Sequence, residues 1–229
     1  MELGSHPNLW VICAAYNEAT TIGRVVADLR GSGYRVVAVD DGSRDGTRHI
    51  ASAAGADVVV HPVNLGQGAA LQTGIDYALA QGADILVTFD ADGQHRVADI
   101  PILVEALRRE RADFALGSRF LGQTYNLPRL RRWVLYAATI FTRLTTGLRL
   151  TDAHNGLRAL TRTGAAAIRL RQNRMAHASE ILVEIAQSGL SYVEVPVTIE
   201  YTAYSLAKGQ RIGDSITILL DLFAQELYR

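Results

Sequence analysis

Short apolar runs alternate with helical patterns through the first half of the chain, and this alternation restricts the fold more than any other feature. Strands are predicted at residues 9–15, 35–39, 57–60, 85–89 and 114–116. A helical pattern follows most of them, and the first, at 18–30, would be capped by Asn17. The strand-like runs are apolar throughout, so each strand is expected to be buried on both faces. The pattern therefore predicts an α/β fold with a mostly parallel central sheet flanked by helices.

The second half of the chain is less regular and richer in arginine. Helices are predicted at 130–146, 179–187 and 212–227, and a strand at 192–199. The last helix is amphipathic, and no stretch rich in proline or serine separates it from the rest. We therefore expect one domain over residues 1–229, in which a basic helical elaboration forms the carboxyl-terminal part.

Three of the predicted strands run directly into clusters of polar residues. These clusters are Ala15-Tyr16-Asn17-Glu18, Asp40-Asp41-Gly42-Ser43 and Asp90-Ala91-Asp92-Gly93-Gln94-His95. Helix capping explains any one cluster equally well, because Asp, Asn and Ser are common before helices. Three clusters at the carboxyl ends of one sheet would face the same crevice, which is where α/β sheets bind ligands. We therefore expect the functional site at that edge.

The segment Asp90-Ala91-Asp92 predicts a metal site. Two carboxylates two residues apart in an extended segment lie on the same side of the chain. They would repel each other without a cation, and Gln94 adds an amide oxygen two residues later. Oxygen ligands suit Mg²⁺ or Mn²⁺, which keep open positions for phosphate. Asp90, Asp92 and Gln94 are thus the candidate metal ligands.

These segments, in this order, resemble the family-2 glycosyltransferases. The resemblance rests on the three clusters together with Asp45-Gly46-Thr47, Asn64-Leu65-Gly66, Gly68 and Gly117-Ser118-Arg119, and covers about residues 8–200. Within the family, the chain is most similar to the dolichyl- or polyprenyl-phosphate sugar synthases. The resemblance implies the GT-A fold, a nucleotide-sandwich α/β domain. It also implies metal-dependent transfer of a sugar, with inversion, from a UDP- or GDP-sugar.

The same resemblance implies roles for single residues of the half from 8 to 118, which would bind the donor. The residues implied to border the nucleotide sugar are Ala15, Tyr16, Glu18, Asp41, Gly68 and Asp90. Asp92 is implied to be catalytic, because together with Gln94 it would hold the metal on the diphosphate. A metal in that position stabilises the negative charge that develops on the leaving nucleotide.

The charge of the chain is divided unevenly along its length. The formal net charge is zero, which argues against a nucleic-acid partner because nucleic-acid-binding domains are usually strongly basic. Residues 1–100 hold 6 Arg and 12 acids, whereas residues 101–229 hold 16 Arg, one Lys and 11 acids. The stretch 119–174 contains 11 Arg and a single acid, Asp152. Because arginine forks suit phosphate oxygens, residues 119–229 are the candidate acceptor-binding half.

A polyprenyl phosphate is the acceptor that the resemblance implies. Arg119, at a strand end, would meet its phosphate and thereby take part in catalysis. A second arginine on the following helix would assist, either Arg132 or Arg129. Lys208 would either close over the diphosphate as a lid residue or lie in a solvated loop.

A sugar hydroxyl is the alternative acceptor, in a saccharide or a lipid-linked glycan. A hydroxyl needs a general base, and Glu180, at a predicted helix start, is the candidate catalytic base. A phosphate acceptor is already an anion and needs no base. In either case, Asp152 and Arg158 are expected to pair and to brace the acceptor side.

The apolar residues among the arginines leave two interpretations open. Trp133, Tyr136, Ile140, Phe141 and Leu144 are either core residues or lie in the membrane interface, where basic amphipathic helices bind anionic lipid. The last helix allows the same choice and, in addition, a homodimer interface. No apolar run reaches the roughly 18–20 residues that span a bilayer, and the first residues lack a signal-peptide pattern. We expect a cytoplasmic protein, soluble or peripheral at the inner face of the membrane.

Overall fold

The computed structural model describes residues 8–170, 177–202 and 204–205. The strands are β1 (Leu9–Ala15), β2 (Arg35–Asp40), β3 (Asp57–Val60), β4 (Ile85–Thr88), β5 (Phe114–Tyr125), β6 (Arg158–Thr161) and β7 (Tyr192–Glu200). The helices are α1 (Ile22–Gly31), α2 (Thr47–Ala53), α3 (Gln67–Ala80), α4 (Ile100–Glu110), α5 (Arg129–Thr146), α6 (Arg162–Ala167) and α7 (His177–Ser188). A 3₁₀ turn at Val97–Asp99 precedes α4. The predicted helix at 212–227 lies outside the described residues.

The strands of the described residues form one seven-stranded sheet in the order β3-β2-β1-β4-β6-β5-β7. β6 runs antiparallel to β4 and to β5. The other neighbouring pairs are parallel. The predicted α/β architecture with a mostly parallel sheet is therefore confirmed.

Helices cover both faces of this sheet, because successive strand residues point to opposite sides. In β1, Val11 and Cys13 pack on the side of α1, α2 and α4. Trp10 and Ile12, from the same strand, pack on the side of α3, α6 and α7. Burial on both sides explains why the strands read as continuous apolar runs.

The order of strands along the sheet reverses direction at β1. β2 and β3 lie on one side of β1, whereas β4 and the later strands lie on the other. The loops that follow β1 and β4 therefore diverge and leave a crevice outside the carboxyl ends of these strands. Tyr16, Asp41 and Asp90, each just past a different strand, border this crevice.

Two elements differ from the prediction near this crevice. The helical pattern that follows Asn17 becomes α1 only at Ile22, and Thr21 occupies the N-cap position. Asn17 has a φ of 52°, and its side-chain oxygen accepts a hydrogen bond from Arg44 N at 2.9 Å. Residues 16–18 therefore form a loop joined to the loop after β2. β5 is 12 residues long instead of three, because its second part pairs with β7 across a register shift.

Candidate active site

A cavity of about 550 Å³ opens at the carboxyl ends of β1, β2 and β4. The predicted site residues that line it are Ala15, Tyr16, Glu18, Asp41, Asp90, Asp92, Gln94 and Arg119. Acidic residues that follow strands in the first half of the chain and an arginine from the second half thus line the same cavity. Its volume lies within the range of small-molecule sites, roughly 300–1,000 Å³.

Asp41 holds the loop between β3 and α3 against the cavity. Its buried carboxylate accepts hydrogen bonds from Leu65 N at 2.9 Å and from Gly66 N at 2.8 Å. Asp41 Oδ1 also lies 2.8 Å from His61 Nδ1. Gly66 has a φ of 99°, a left-handed conformation that favours glycine. The carboxylate thus shapes the wall formed by residues 64–67 as well as lining the cavity itself.

Glu18 anchors the segment that returns from β7. Its Oε2 accepts hydrogen bonds from Thr21 Oγ1 at 3.0 Å and from Tyr204 Oη at 2.8 Å. Burial, followed by the hydrogen bond to Glu18, raises the pKa of Tyr204 to about 12. The phenol therefore stays a protonated donor at neutral pH. Ser205, the next residue, lines the cavity, so this segment forms part of the site.

Asp90 is oriented by contacts on three sides. Its Oδ2 lies 2.9 Å from His95 Nε2, and its Oδ1 accepts a hydrogen bond from Gln67 Nε2 at 3.4 Å. On the third side is Gly156, where a Cβ would come within 2.0 Å of Asp90 Oδ2. The Asp90 side chain is 32% exposed. The carboxylate is therefore fixed in position yet still open to the cavity.

Asp92 and Gln94 lie side by side after β4. Gln94 donates from its backbone N to Asp92 Oδ1 at 3.0 Å and from Nε2 to Oδ2 at 2.5 Å. Burial, and then the charge of Asp90, raise the pKa of Asp92 to about 6. A divalent cation beside both carboxylates would relieve this repulsion.

The residues after β4 fit a metal that also binds substrate. Within residues 8–170, 177–202 and 204–205, no group of three or more His, Cys, Asp or Glu side chains is arranged to hold a metal ion. The chain offers Asp90, Asp92 and the amide of Gln94. Mg²⁺ is commonly bound by one or two carboxylates together with waters and substrate phosphates, so this donor set is compatible with Mg²⁺ or Mn²⁺.

Arg119, in β5, lies in a buried network at the edge of the cavity. Its Nε donates to Asp152 Oδ2 at 2.6 Å, its Nη1 donates to Tyr201 Oη at 2.5 Å, and its Nη2 donates to the carbonyl of His154. The backbone N of Arg119 donates to the same Asp152 oxygen at 3.0 Å. The predicted pair of Asp152 with Arg158 is therefore wrong. Asp152 pairs with Arg119, because both the backbone and the guanidinium of Arg119 reach one carboxylate oxygen.

One arginine of α5 lines the cavity, and it is neither of the two predicted. The guanidinium of Arg131 lies 5.1 Å from the centre of the Tyr201 ring, within the range of a cation–π contact. Arg129 and Arg132 are exposed and are absent from the lining. Because each residue turns a helix by about 100°, neighbouring positions face different directions.

The remaining predicted site residues lie away from the cavity or outside the described part. Gly68 is buried in the first turn of α3 and does not line the cavity. Glu180 is in the first turn of α7 and is likewise absent from the lining. Lys208 lies outside the described residues.

Several residues that line the cavity were not assigned to the site in the sequence analysis, among them His95, Gly156 and Arg131. His95 stands in the same cluster as Asp90, so its position was a usable signal. At Gly156, the absence of a Cβ leaves room for the Asp90 carboxylate. Arg131 stands in an arginine-rich run in which only the orientation of α5 distinguishes one residue from the next.

α5 exposes apolar side chains in a stripe along the helix. Trp133 is 71% exposed, Tyr136 53%, Ile140 41% and Leu144 80%. The buried residues of α5 are instead Ala138, Thr139 and Thr142. The interpretation of the four large side chains as core is therefore wrong. In the part of the chain that the structure describes, no helix combines the length and apolar character needed to cross a membrane.

The model of glycosyl transferase family 2 matches residues 10–169. The chain belongs to this family. One relative is the UDP-N-acetylglucosamine–dolichyl-phosphate N-acetylglucosaminyltransferase of Methanococcus voltae, 31% identical over 89% of this chain and 90% of its own length. Another is the undecaprenyl-phosphate mannosyltransferase of Micrococcus luteus, 34% identical over 82% of this chain and 81% of its own length. The chain is therefore a family-2 glycosyltransferase, and its similarity to these two enzymes confirms the resemblance to the dolichyl- and polyprenyl-phosphate sugar synthases.

The fold of this glycosyltransferase is GT-A, as predicted. The crystal structure of glucosyl-3-phosphoglycerate synthase from Mycobacterium tuberculosis, in complex with Mn²⁺ and UDP-glucose, is similar to it with a TM-score of 0.73. The two chains are 21% identical, and the similarity covers 96% of this chain and 79% of that one. At this level of identity the similarity establishes the fold alone.

Proposed function

We propose that the protein transfers a sugar, with inversion, from a UDP- or GDP-sugar to a polyprenyl phosphate. The observation that carries this proposal is that a single cavity has acidic residues on one side and arginines on the other. Asp90 and Asp92 border it just after β4, whereas Arg119 borders it from β5 and Arg131 from α5. We further propose that residues 8–118 bind the donor and residues 119–229 the acceptor.

On the donor side, Ala15, Tyr16, Glu18 and Asp41 would bind the nucleoside. Asp90, Asp92 and Gln94 would hold Mg²⁺ or Mn²⁺ against the diphosphate, and the ion would neutralise charge on the departing nucleotide. His95 and Gln67 keep Asp90 in place before substrate arrives. Such preorganisation lowers the barrier, because no reorientation is needed when the charge develops.

On the acceptor side, an oxygen of the lipid phosphate would attack the anomeric carbon of the sugar. The bond from that carbon to the β-phosphate oxygen breaks, and its electron pair leaves with the nucleoside diphosphate. Arg119, fixed by Asp152 and Tyr201, and Arg131, on the rim, would hold the attacking phosphate. No proton has to be removed from this acceptor. The position of Glu180 outside the cavity lining favours the phosphate over the alternative sugar hydroxyl.

A panel of UDP- and GDP-sugars with Mn²⁺, assayed with and without a polyprenyl phosphate, tests the reaction. We expect a lipid-linked sugar whose anomeric configuration is opposite to that of the donor, and we expect EDTA to abolish transfer and added Mn²⁺ to restore it. Asp92→Ala should lose transfer, whereas Asp76→Ala, on the exposed side of α3, should not. Transfer to a neutral sugar but never to the lipid phosphate would reject the proposed acceptor.

The same assay separates the phosphate acceptor from the hydroxyl acceptor. Glu180→Gln should keep transfer to the lipid phosphate, because that acceptor needs no base. Glu184→Gln, one turn further along α7, is the matched control. Loss of transfer in the first variant alone would favour the alternative in which Glu180 acts as a base.

We also propose that α5 lies at the surface of the membrane that contains the acceptor. Its exposed apolar stripe includes Trp133 and Leu144. Its charged residues are four arginines, Arg129, Arg131, Arg132 and Arg143, and it contains no acid. A helix with this composition binds anionic lipid by apolar insertion and charge together. Co-sedimentation with vesicles of anionic lipid, compared with neutral vesicles, tests this contact, and equal or absent binding to both would contradict it.

A further inference from the structure

Arg158 is a buried cation that borders the cavity, and no residue in the described part of the chain pairs with its side chain. It is the first residue of β6, its exposed fraction is 4%, and it lines the cavity. Among residues 8–170, 177–202 and 204–205, its guanidinium makes no hydrogen bond and no salt bridge. Buried charges in proteins are normally paired, because an unpaired one is costly to remove from water.

The carboxylates near Arg158 already have other partners. Asp152 accepts two hydrogen bonds from Arg119, and Asp90 is held by His95 and Gln67. Burial lowers the pKa of Arg158 to about 10; the charges of Asp90 and Asp152 partly offset this, and the charge of Arg119 adds to it. The side chain therefore remains charged at neutral pH, and its donors are still available.

This availability distinguishes Arg158 from Arg119. The guanidinium of Arg119 already donates to Asp152, Tyr201 and His154. A guanidinium with free donors that faces a cavity suits phosphate oxygens, which it binds as a fork. Arg158 is also on β6, between β4, which leads to Asp90, and β5, which contains Arg119, so it stands where the proposed donor and acceptor sides of the cavity meet.

We propose that Arg158 binds a phosphoryl oxygen of a substrate inside the cavity. This inference rests on the proposed function and adds to it one more phosphate-binding residue. Had Arg158 paired with Asp152, as the sequence predicted, its donors would not have been available for a phosphate. The oxygen belongs either to the diphosphate of the nucleotide sugar or to the phosphate of the lipid acceptor. Both sources share the same chemistry, and the experiment distinguishes them.

The test compares Arg158→Met with the wild-type protein and with Arg149→Met, a control at an exposed arginine. Calorimetry with Mg²⁺ measures the affinity for UDP or GDP, whichever the wild type binds, and for its nucleoside. If the diphosphate is the partner, Arg158→Met weakens binding of the nucleoside diphosphate at least about tenfold and leaves the affinity for the nucleoside unchanged. If the acceptor phosphate is the partner, both affinities persist and the KM for polyprenyl phosphate rises at least about tenfold.

Stability gives a second, independent measurement. Because no described residue pairs with the Arg158 side chain, its replacement by Met should leave the urea midpoint unchanged or raise it. Unchanged substrate constants would overturn the proposal, and a lower midpoint beside them would show that Arg158 is structural. If the Met variant does not fold, Arg158→Lys, which keeps a buried cation, replaces it in the test. The same nucleotide affinities and the same KM for polyprenyl phosphate are then measured on the Lys variant. Wild-type protein that binds neither nucleotide would refute the proposed function instead.

Discussion

Breaking the buried ion pair between Arg119 and Asp152 is expected to destabilise the fold strongly. The two side chains are 6% and 0% exposed. Asp152 also accepts hydrogen bonds from His154 N at 3.2 Å and from Asn155 Nδ2 at 3.5 Å. Removing one partner of a buried pair leaves the other charge uncompensated, which costs about 3–5 kcal/mol. We expect Asp152→Asn to lower the free energy of unfolding by about that amount, measured by urea denaturation.

A double-mutant cycle isolates the pair from other effects of the substitution. Arg119→Met should also destabilise, but combining it with Asp152→Asn should cost clearly less than the sum of the two single changes. The matched control is Glu110→Gln, which breaks the exposed pair with Arg109. In this pair the Arg109 side chain is 70% exposed and the Glu110 side chain 47%. That change should cost less than about 1 kcal/mol. Additive single effects, or a loss below about 1 kcal/mol for Asp152→Asn, would refute the reasoning.

Three further changes have defined outcomes. Gly156→Ala should reduce kcat severely, because the added Cβ would lie 2.0 Å from Asp90 Oδ2. The control Gly31→Ala should leave kcat unchanged, because no atom lies within 4 Å of its added carbon. Burial raises the pKa of the Cys13 thiol to about 12, so at pH 8 a disulfide reagent should react only after urea unfolding, and rapid labelling of native protein would contradict this. Leu144→Gln should weaken binding to anionic vesicles without changing the urea midpoint, because the side chain is 80% exposed; an unchanged vesicle affinity would count against α5 as the contact.

The local sequence was sufficient for the architecture of the first half. Apolar strand runs and the helices between them follow from periodicity, because a strand buried on both faces has to be apolar at every position. The acidic strand ends were correctly expected to meet, because parallel strands bring their carboxyl ends to one edge. β5 was predicted too short because its second part is stabilised only by pairing with β7, about 75 residues later in the chain.

Partner choice among charged residues was the part that local patterns did not reveal. Asp152 and Arg158 are close in sequence, yet Asp152 pairs with Arg119, 33 residues away. Within the run from Arg129 to Arg132, the orientation of α5 decides that Arg131 faces the cavity. The sequence therefore determined the class of fold, the family and the acidic edge of the site, because these depend on periodicity and on contiguous motifs. Only the tertiary structure decided which arginine is paired, which is exposed and which borders the cavity with no partner among the described residues, because ion pairing depends on distances between separate elements.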